Sequence, residues 1–186
     1  MKRSIWQRGA LGTAVLALVS WSVAWSADAP AHAFVGAEKC KMCHNSPAKG
    51  AQFAKWGETK HAKALATLGT EEAKKVAAAK GIADPQKAAE CLRCHVTGAG
   101  APKEKLTDKY KVEEGVSCES CHGPGGDYWK MDVMKDRAKS VAAGMVLPTE
   151  ETCKVCHNPE SPSFKAFDFK TALAQIAHPN PQTAKK

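Results

Sequence analysis

The sequence predicts a mainly α-helical protein, a small single domain of short helices and loops. Apolar residues recur three or four positions apart in Ala- and Lys-rich segments, which is the spacing of one helix face. Bulky apolar residues are scarce, because much of the 44% hydrophobic fraction is Ala and much of it lies near the N-terminus. Something other than side chains is therefore expected to fill the interior.

The N-terminus has the features of a secretory signal. Basic residues precede an uncharged run over residues 9–25, and several pairs of small residues suited to a signal peptidase follow it. We expect residues 1–26 to be removed, with cleavage as late as residue 33 as the alternative. One domain over residues 34–186 remains, and its predicted location is periplasmic or extracellular.

The first half of this domain is predicted to be helical. Residues 48–68 form one helix in this interpretation, because apolar side chains and His61 recur along one face. Residues 71–80 form a second helix, which ends at a glycine. Asp84 is expected to cap a third helix that leads into Cys91.

The second half is predicted to alternate loops with helices. Residues 96–105 contain Gly and Pro and are expected to form a loop. A short strand over residues 111–116 is an alternative to an entirely helical chain. A helix is expected over residues 129–144, and Thr149 is expected to cap a short helix that carries Cys153.

All eight cysteines fall into four Cys-x-x-Cys-His motifs, numbered one to four here in chain order. The cysteines are Cys40, Cys43, Cys91, Cys94, Cys118, Cys121, Cys153 and Cys156. The histidines that follow them are His44, His95, His122 and His157. This motif is the attachment signal of c-type haem, in which the thiols bind the two vinyl groups and the adjacent His is the proximal iron ligand.

Three other interpretations of a Cys-x-x-Cys pair are a redox dithiol, a disulfide and half of a zinc site. None of them explains why a His follows every pair. The sequence therefore predicts four covalently bound haem c groups, each with one iron, and a domain organised around them.

The four motifs differ in their surroundings. The first and fourth share Glu-x-Cys-Lys-x-Cys-His-Asn, whereas the second and third run into Gly-rich turns, which suggests an outer and an inner pair. A compact domain of this length has a diameter of about 40 Å, so four haems within it lie close together. Such crowding predicts a continuous electron path and hence an electron-transfer protein.

Three histidines outside the motifs are candidates for the second axial ligand. His61 lies in the first predicted helix, and His178 follows a segment that Asp168 can cap and Pro179 can stop. His32 is the third, although late cleavage of the signal would remove it. Three histidines cannot serve four irons, so one haem is five-coordinate, or a neighbouring molecule supplies a His, or a methionine binds. The candidate methionines are Met131, Met134 and Met145. Two His ligands give low reduction potentials.

The formal net charge is +8, which alone would suit a nucleic acid or a membrane surface. An exported chain is not expected to meet nucleic acid, and haem propionates would offset most of the excess charge. We expect redox proteins as partners, an electron donor and an acceptor, with no stable membrane insertion and with a homo-oligomer as an alternative. No Ser/His/Asp arrangement, phosphate loop or carboxylate pair indicates an enzyme, so no catalytic residue is predicted.

Several segments resemble the tetrahaem cytochrome c-554 family over roughly residues 34–180. They are a Trp56-x(4)-His61-Ala62-Lys63-Ala64 segment, "CHGPGGD" at the third motif, and "CHNPESPSF" leading to "IAHP". The resemblance implies a mostly helical fold, haems in stacked and near-perpendicular pairs, periplasmic electron transfer, and commonly one haem without a strong distal ligand. Relatives often bear a His shortly after the third motif, where this chain has Tyr128 and Trp129.

The resemblance extends to subunits of extracellular cytochrome filaments, in which a neighbour can donate a ligand. A filament subunit is therefore one alternative function. The other is a reductase of small nitrogen compounds at a five-coordinate haem.

Overall fold

The computed structural model describes residues 32–181, and the predicted signal over residues 1–26 lies outside them. Within this range the chain forms short α-helices and 3-10 helices joined by turns, which confirms the mainly helical fold. The α-helices are α1 (Ala37–His44), α2 (Gln52–Glu58), α3 (Ala64–Leu68), α4 (Glu71–Ala79), α5 (Ala89–His95), α6 (Cys118–His122), α7 (Met131–Met134), α8 (Arg137–Ala142), α9 (Glu150–Lys154) and α10 (Phe169–Ile176). The 3-10 helices are Pro47–Lys49, Lys103–Lys105 and Val112–Glu114.

The single helix predicted over residues 48–68 is wrong, because α2 and α3 are separated by a turn that contains His61. α2 ends before Thr59, whose backbone is extended (φ −76°, ψ 163°) and whose hydroxyl donates to the Trp56 carbonyl at 2.7 Å. The carbonyl of His61 accepts the backbone N–H of Val116 at 3.0 Å. A distant segment thus uses a carbonyl that a continuous helix would need for itself.

The helix predicted over residues 71–80 is confirmed as α4, which Thr70 caps through its side chain. The third helix begins later than predicted. Asp84 accepts the backbone N–H of Gln86 at 3.0 Å and so stabilises a turn, while α5 begins only at Ala89. α5 then continues through the second motif to its histidine.

The helix predicted over residues 129–144 is also wrong, because α7 and α8 replace it. Asp136 interrupts the pattern with an extended backbone (φ −117°, ψ 110°), and its carboxylate accepts the N–H groups of Ala138 and Lys139. Asp is a favoured N-cap, so a second helix starts where the prediction continued the first.

The alternative of a strand over residues 111–116 is wrong, since the 3-10 helix Val112–Glu114 occupies it. Among the described residues, the β-structure is an isolated parallel bridge between Phe34 and Leu106. The loop predicted over residues 96–105 is confirmed except for a 3-10 turn at its end. The chain thus relies on turns rather than sheet pairing to connect its helices.

The two helix N-caps predicted in the C-terminal part of the chain are confirmed. Thr149 forms a capping box with Thr152 at the start of α9, and Asp168 accepts the backbone N–H of Thr171 at 2.8 Å at the start of α10. α10 ends at Ile176, so His178 lies just beyond the helix rather than on it.

The side chains that the described residues bury are few and mostly small. The buried apolar residues are Val35, Ala37, Ala64, Leu68, Ala77, Val96 and Tyr128. Burial of large apolar side chains is the main stabilising contribution to folding. These few, mostly small side chains supply little of it for a domain of this length. This composition fits the expectation that another group occupies part of the interior.

The helices are short relative to a bilayer. α4, the longest of them, has nine residues, whereas a spanning helix needs about 20. Within residues 32–181, no helix is long and apolar enough to cross a membrane.

Candidate functional site

Each Cys-x-x-Cys-His motif lies on or at the end of a short helix. α1 and α5 end at the motif histidine, α6 consists of the third motif, and α9 carries Cys153 with the rest of its motif in the following turn. Residues three apart lie on one helix face, so the two thiols of a motif project in similar directions. This local geometry suits the attachment of one edge of a planar group.

All eight cysteines are free thiols, and each is half-buried. Among residues 32–181, no cluster of three or more His, Cys, Asp and Glu side chains could hold a metal ion directly. The thiols therefore form neither disulfides nor a four-ligand zinc site, which were two of the alternatives for these pairs. They remain available for covalent attachment.

The motifs approach one another in an order that the sequence pattern does not suggest. The thiols of Cys40 and Cys118 are hydrogen-bonded, and this bond, followed by burial, raises the pKa of Cys40. Burial, followed by the charge and hydrogen bond of Cys94, raises the pKa of Cys156 to about 12. The first motif thus lies against the third, and the second against the fourth. The inner motifs also meet, because Oγ1 of Thr97, two residues after the second motif, lies 2.6 Å from Oγ of Ser120 in the third.

Two of the spare histidines face motif histidines. The ring centroids of His61 and His157 are 6.0 Å apart, and those of His122 and His178 are 6.2 Å apart. Two imidazoles on opposite sides of one metal ion, with metal–nitrogen bonds of about 2 Å, have ring centroids roughly 6 Å apart. The spacing of both pairs therefore matches an axial ligand pair.

Backbone carbonyls fix the orientation of three of the histidines. Nδ1 lies 2.8 Å from the Ala64 carbonyl in His95, 3.2 Å from the Val146 carbonyl in His122, and 2.8 Å from the Ile176 carbonyl in His178. A carbonyl only accepts, so Nδ1 carries the proton and Nε2 keeps its lone pair. A histidine whose other ring nitrogen donates to a carbonyl in this way is oriented to bind a metal through Nε2.

Three histidines of the site are favoured in the neutral form that binds metals. Burial lowers the pKa of His44, His61 and His122. The facing His157 lowers the pKa of His61 further, and His178 lowers that of His122. Protonation would compete with metal binding, so these lowered pKa values suit a ligand role.

His32 occupies a different place from the other two spare histidines. Its Nδ1 is bonded to the Asp127 carboxylate, and a Cβ built on Gly144 would lie 2.6 Å from its Nε2. Within the described residues, the ring contacts between spare and motif histidines involve His61 and His178 and not His32.

Of the candidate methionines, Met131 is 59% exposed, and the sulfur of Met134 accepts the Ser140 hydroxyl at 3.8 Å.

Aromatic residues that sequence reasoning did not assign also support the motif histidines. The buried Tyr128 donates its hydroxyl to the carbonyls of His122 at 3.0 Å and Gly123 at 2.5 Å, at the end of α6. Phe167 stacks on His157 with ring centroids 4.9 Å apart. Neither contact follows from a local pattern, since each joins residues from separate turns.

Two carboxylates near the start of α1 are a further feature that the sequence did not reveal. Glu119, the first residue between the cysteines of the third motif, is 3% exposed and accepts backbone N–H groups of Val35, Gly36 and Gly125. Glu114 accepts the N–H of Ala37 at 2.8 Å. A glutamate between motif cysteines is expected to be exposed to solvent, because Glu is rarely buried. Only the fold shows that this one is buried.

Comparison with known proteins agrees with this geometry. Residues 39–123, which contain the first three motifs, match the family described as cytochrome c554 and c-prime. The chain is 37% identical over 158 residues to cytochrome c-554 of Nitrosomonas europaea, a match that covers 71% of this chain and 59% of that relative's length. No solved structure matches the chain.

The free thiol pairs, the adjacent histidines and the small side-chain core all fit covalently bound haem c, which this relationship implies. The resemblance predicted from the sequence is therefore confirmed, and the chain belongs to the cytochrome c-554 family.

Proposed function

We propose that this protein is an exported cytochrome with four haem c groups, which transfers electrons between a donor and an acceptor protein of a respiratory chain. The observation that supports it best is the pair of histidine spacings near 6 Å, each joining a motif histidine to a histidine from another part of the chain. When bound, the haem irons supply one-electron oxidation and reduction. The protein's own residues attach, orient and bury them.

In this proposal each motif provides one proximal ligand, and two irons receive a second histidine. His157 pairs with His61, and His122 pairs with His178. Backbone carbonyls bond to Nδ1 of His122 and His178, which leaves Nε2 of each as the atom that would bind iron. Two neutral histidines per iron favour low potentials.

The irons of the first and second motifs have a different environment. His44 and His95 lack a facing histidine ring among the ring contacts of the described residues. His32 is the proposed donor that remains, because Asp127 bonds to its Nδ1 and not to its Nε2. At least one iron is then five-coordinate or takes a ligand from a methionine or a neighbouring molecule.

We also propose that the signal is cleaved before His32. The backbone carbonyl of Ala33 accepts the N–H of Gly126 at 2.9 Å, and the backbone of Phe34 bonds with Lys105 and Thr107. Cleavage after residue 33 would remove the first of these contacts together with His32. A cut after residue 26 keeps both and places the protein in the periplasm.

Electron exchange with partners is proposed at the exposed parts of the motifs. Met42 is 69% exposed and Val155 is 71% exposed, and each follows a lysine between the cysteines of its motif. Redox complexes are small and transient, so an apolar residue beside a lysine suits a brief, partly electrostatic contact.

Intact mass spectrometry of the exported protein tests the haem count and the N-terminus together. We expect the mass of the processed polypeptide plus four haems, with an N-terminus upstream of residue 32. A colourless protein, or a mass equal to the bare polypeptide, would refute the proposal. Variants that replace both cysteines of one motif with alanine provide the control, since each should lose a single haem.

A further inference from the structure

The buried carboxylate of Glu119 connects the third motif to the helix that carries the first. Oε1 accepts the N–H of Val35 at 2.9 Å and that of Gly125 at 2.6 Å, while Oε2 accepts the N–H of Gly36 at 2.9 Å. Val35 and Gly36 directly precede α1, and Gly125 lies in the turn after α6. One side chain therefore bonds to the flanks of both motif helices.

The donors around Glu119 suit a carboxylate. Three N–H groups point to its two oxygens, and a carboxylate is the form of the side chain that only accepts hydrogen bonds. Charge-assisted bonds of this kind are stronger than neutral ones. The group is 3% exposed, so little solvent screens its charge.

Glu114 adds a second carboxylate at the same helix end. Its oxygen accepts the N–H of Ala37, the first residue of α1, at 2.8 Å. The N-cap residue Gly36 has no side chain to cap α1, so the two glutamates satisfy backbone donors there instead. Negative charge is also favoured at the positive end of the helix dipole.

The charges of both glutamates reach the attachment thiols. The pKa of Cys40 is raised first by its hydrogen bond with Cys118 and by burial, and then by the charges of Cys118, Glu119 and Glu114. A haem attached at these thiols would lie in the same electrostatic environment. A negative charge in a poorly screened interior favours the more positive, oxidised form of a neighbouring iron.

We infer that Glu119 is a positioning residue that fixes the first and third motifs against each other and lowers the reduction potentials of the haems attached to them. This inference rests on the proposed function, because it requires haem at both motifs. Glu114 acts in the same direction through its bond to the first residue of α1.

A redox titration of the Glu119→Gln variant tests the inference. Glutamine keeps the size of the side chain but removes the charge. In the holoprotein we expect two of the four reduction potentials to rise by about 59 mV each. At a fixed applied potential, a rise of this size is a tenfold change in the ratio of oxidised to reduced haem. The other two potentials should stay unchanged, and the haem content by mass should equal that of the wild type.

Glu90→Gln is the matched control. Glu90 also adjoins a motif cysteine, Cys91, and its charge also raises the pKa of that thiol, after burial, but its side chain is exposed. The same loss of charge should therefore shift the potentials much less, because solvent screens it.

Unchanged potentials in a fully loaded Glu119→Gln protein would overturn the inference and leave Glu119 a purely structural residue. An equal shift of all four potentials would overturn its local assignment. If this variant does not yield holoprotein, Glu114→Gln keeps every Glu119 contact and must still raise the same two potentials; no rise would contradict the inference. Wild-type protein without haem would instead refute the proposed function.

Discussion

The two motif pairs are held together by different kinds of interaction. Where the first motif meets the third, buried groups dominate: Glu119 bonds to three backbone N–H groups, and Tyr128 donates to two carbonyls. Where the second meets the fourth, an exposed ion pair joins Arg93 to Glu160 at 2.7 Å. Buried polar contacts are costly to break, whereas exposed ion pairs contribute little. The pair formed by the first and third motifs is therefore the structural centre of the domain. The pair formed by the second and fourth motifs is its more adaptable part.

Removal of a haem attachment should have the largest effect, and the effect should differ between the pairs. Replacing Cys118 and Cys121 with alanine should remove one haem and strongly destabilise the domain, because α1 packs on the third motif. Replacing Cys153 and Cys156 should remove one haem with a smaller loss of stability. Intact mass and thermal unfolding measure both quantities, and equal losses of stability would contradict the distinction.

Loss of a spare histidine should change the spin state of one iron in each pair. We expect His61→Ala and His178→Ala each to convert one low-spin ferric iron to high spin, because each removes an axial nitrogen. Electron paramagnetic resonance of the oxidised variants measures this change. Lys60→Ala, at an exposed neighbour of His61, is the control and should leave the spectrum as in the wild type. An unaltered spectrum in either histidine variant would exclude that residue as a ligand.

Loss of the Tyr128 hydroxyl should moderately destabilise the region where the first and third motifs meet. Tyr128→Phe leaves the carbonyls of His122 and Gly123 without this donor, which we expect to lower the free energy of unfolding by about 1–3 kcal/mol. Tyr110→Phe removes one bond, to the Thr97 carbonyl at 2.5 Å, and should cost less. Urea denaturation of the holoproteins compares them, and a larger effect for Tyr110 would reverse the expected order.

Loss of the exposed ion pair should have the smallest effect. Arg93→Gln or Glu160→Gln removes a contact whose two side chains are 55% and 68% exposed. We expect a slight fall in the denaturation midpoint at low salt that disappears at high salt, because ions screen exposed charges. A large fall that persists at high salt would mean that the second pair depends on this bridge more than its exposure suggests.

The sequence predicted the features that depend on covalent spacing or on a local cap. The four motifs lie on or beside helices because two thiols three residues apart share a helix face. Thr149 and Asp168 start their helices as predicted, since capping depends on neighbouring residues alone. His61 and His178 were chosen as ligand candidates from the sequence, and both face a motif histidine.

Features that depend on distant contacts were not predictable from one sequence. The break at His61 involves a hydrogen bond from Val116, which lies far along the chain. The similarity of the first and fourth motifs did not reveal that the first contacts the third and the second the fourth. Glu119 reads as an ordinary polar residue between two cysteines, and its burial arises only because the segment before α1 covers it.

We propose that two irons lie between histidine pairs contributed by separate parts of the chain. Electron paramagnetic resonance of the oxidised wild-type protein tests it most directly. Two such irons should give at least two low-spin ferric signals of the kind that two imidazole ligands produce. A spectrum in which all the iron is high-spin would contradict it.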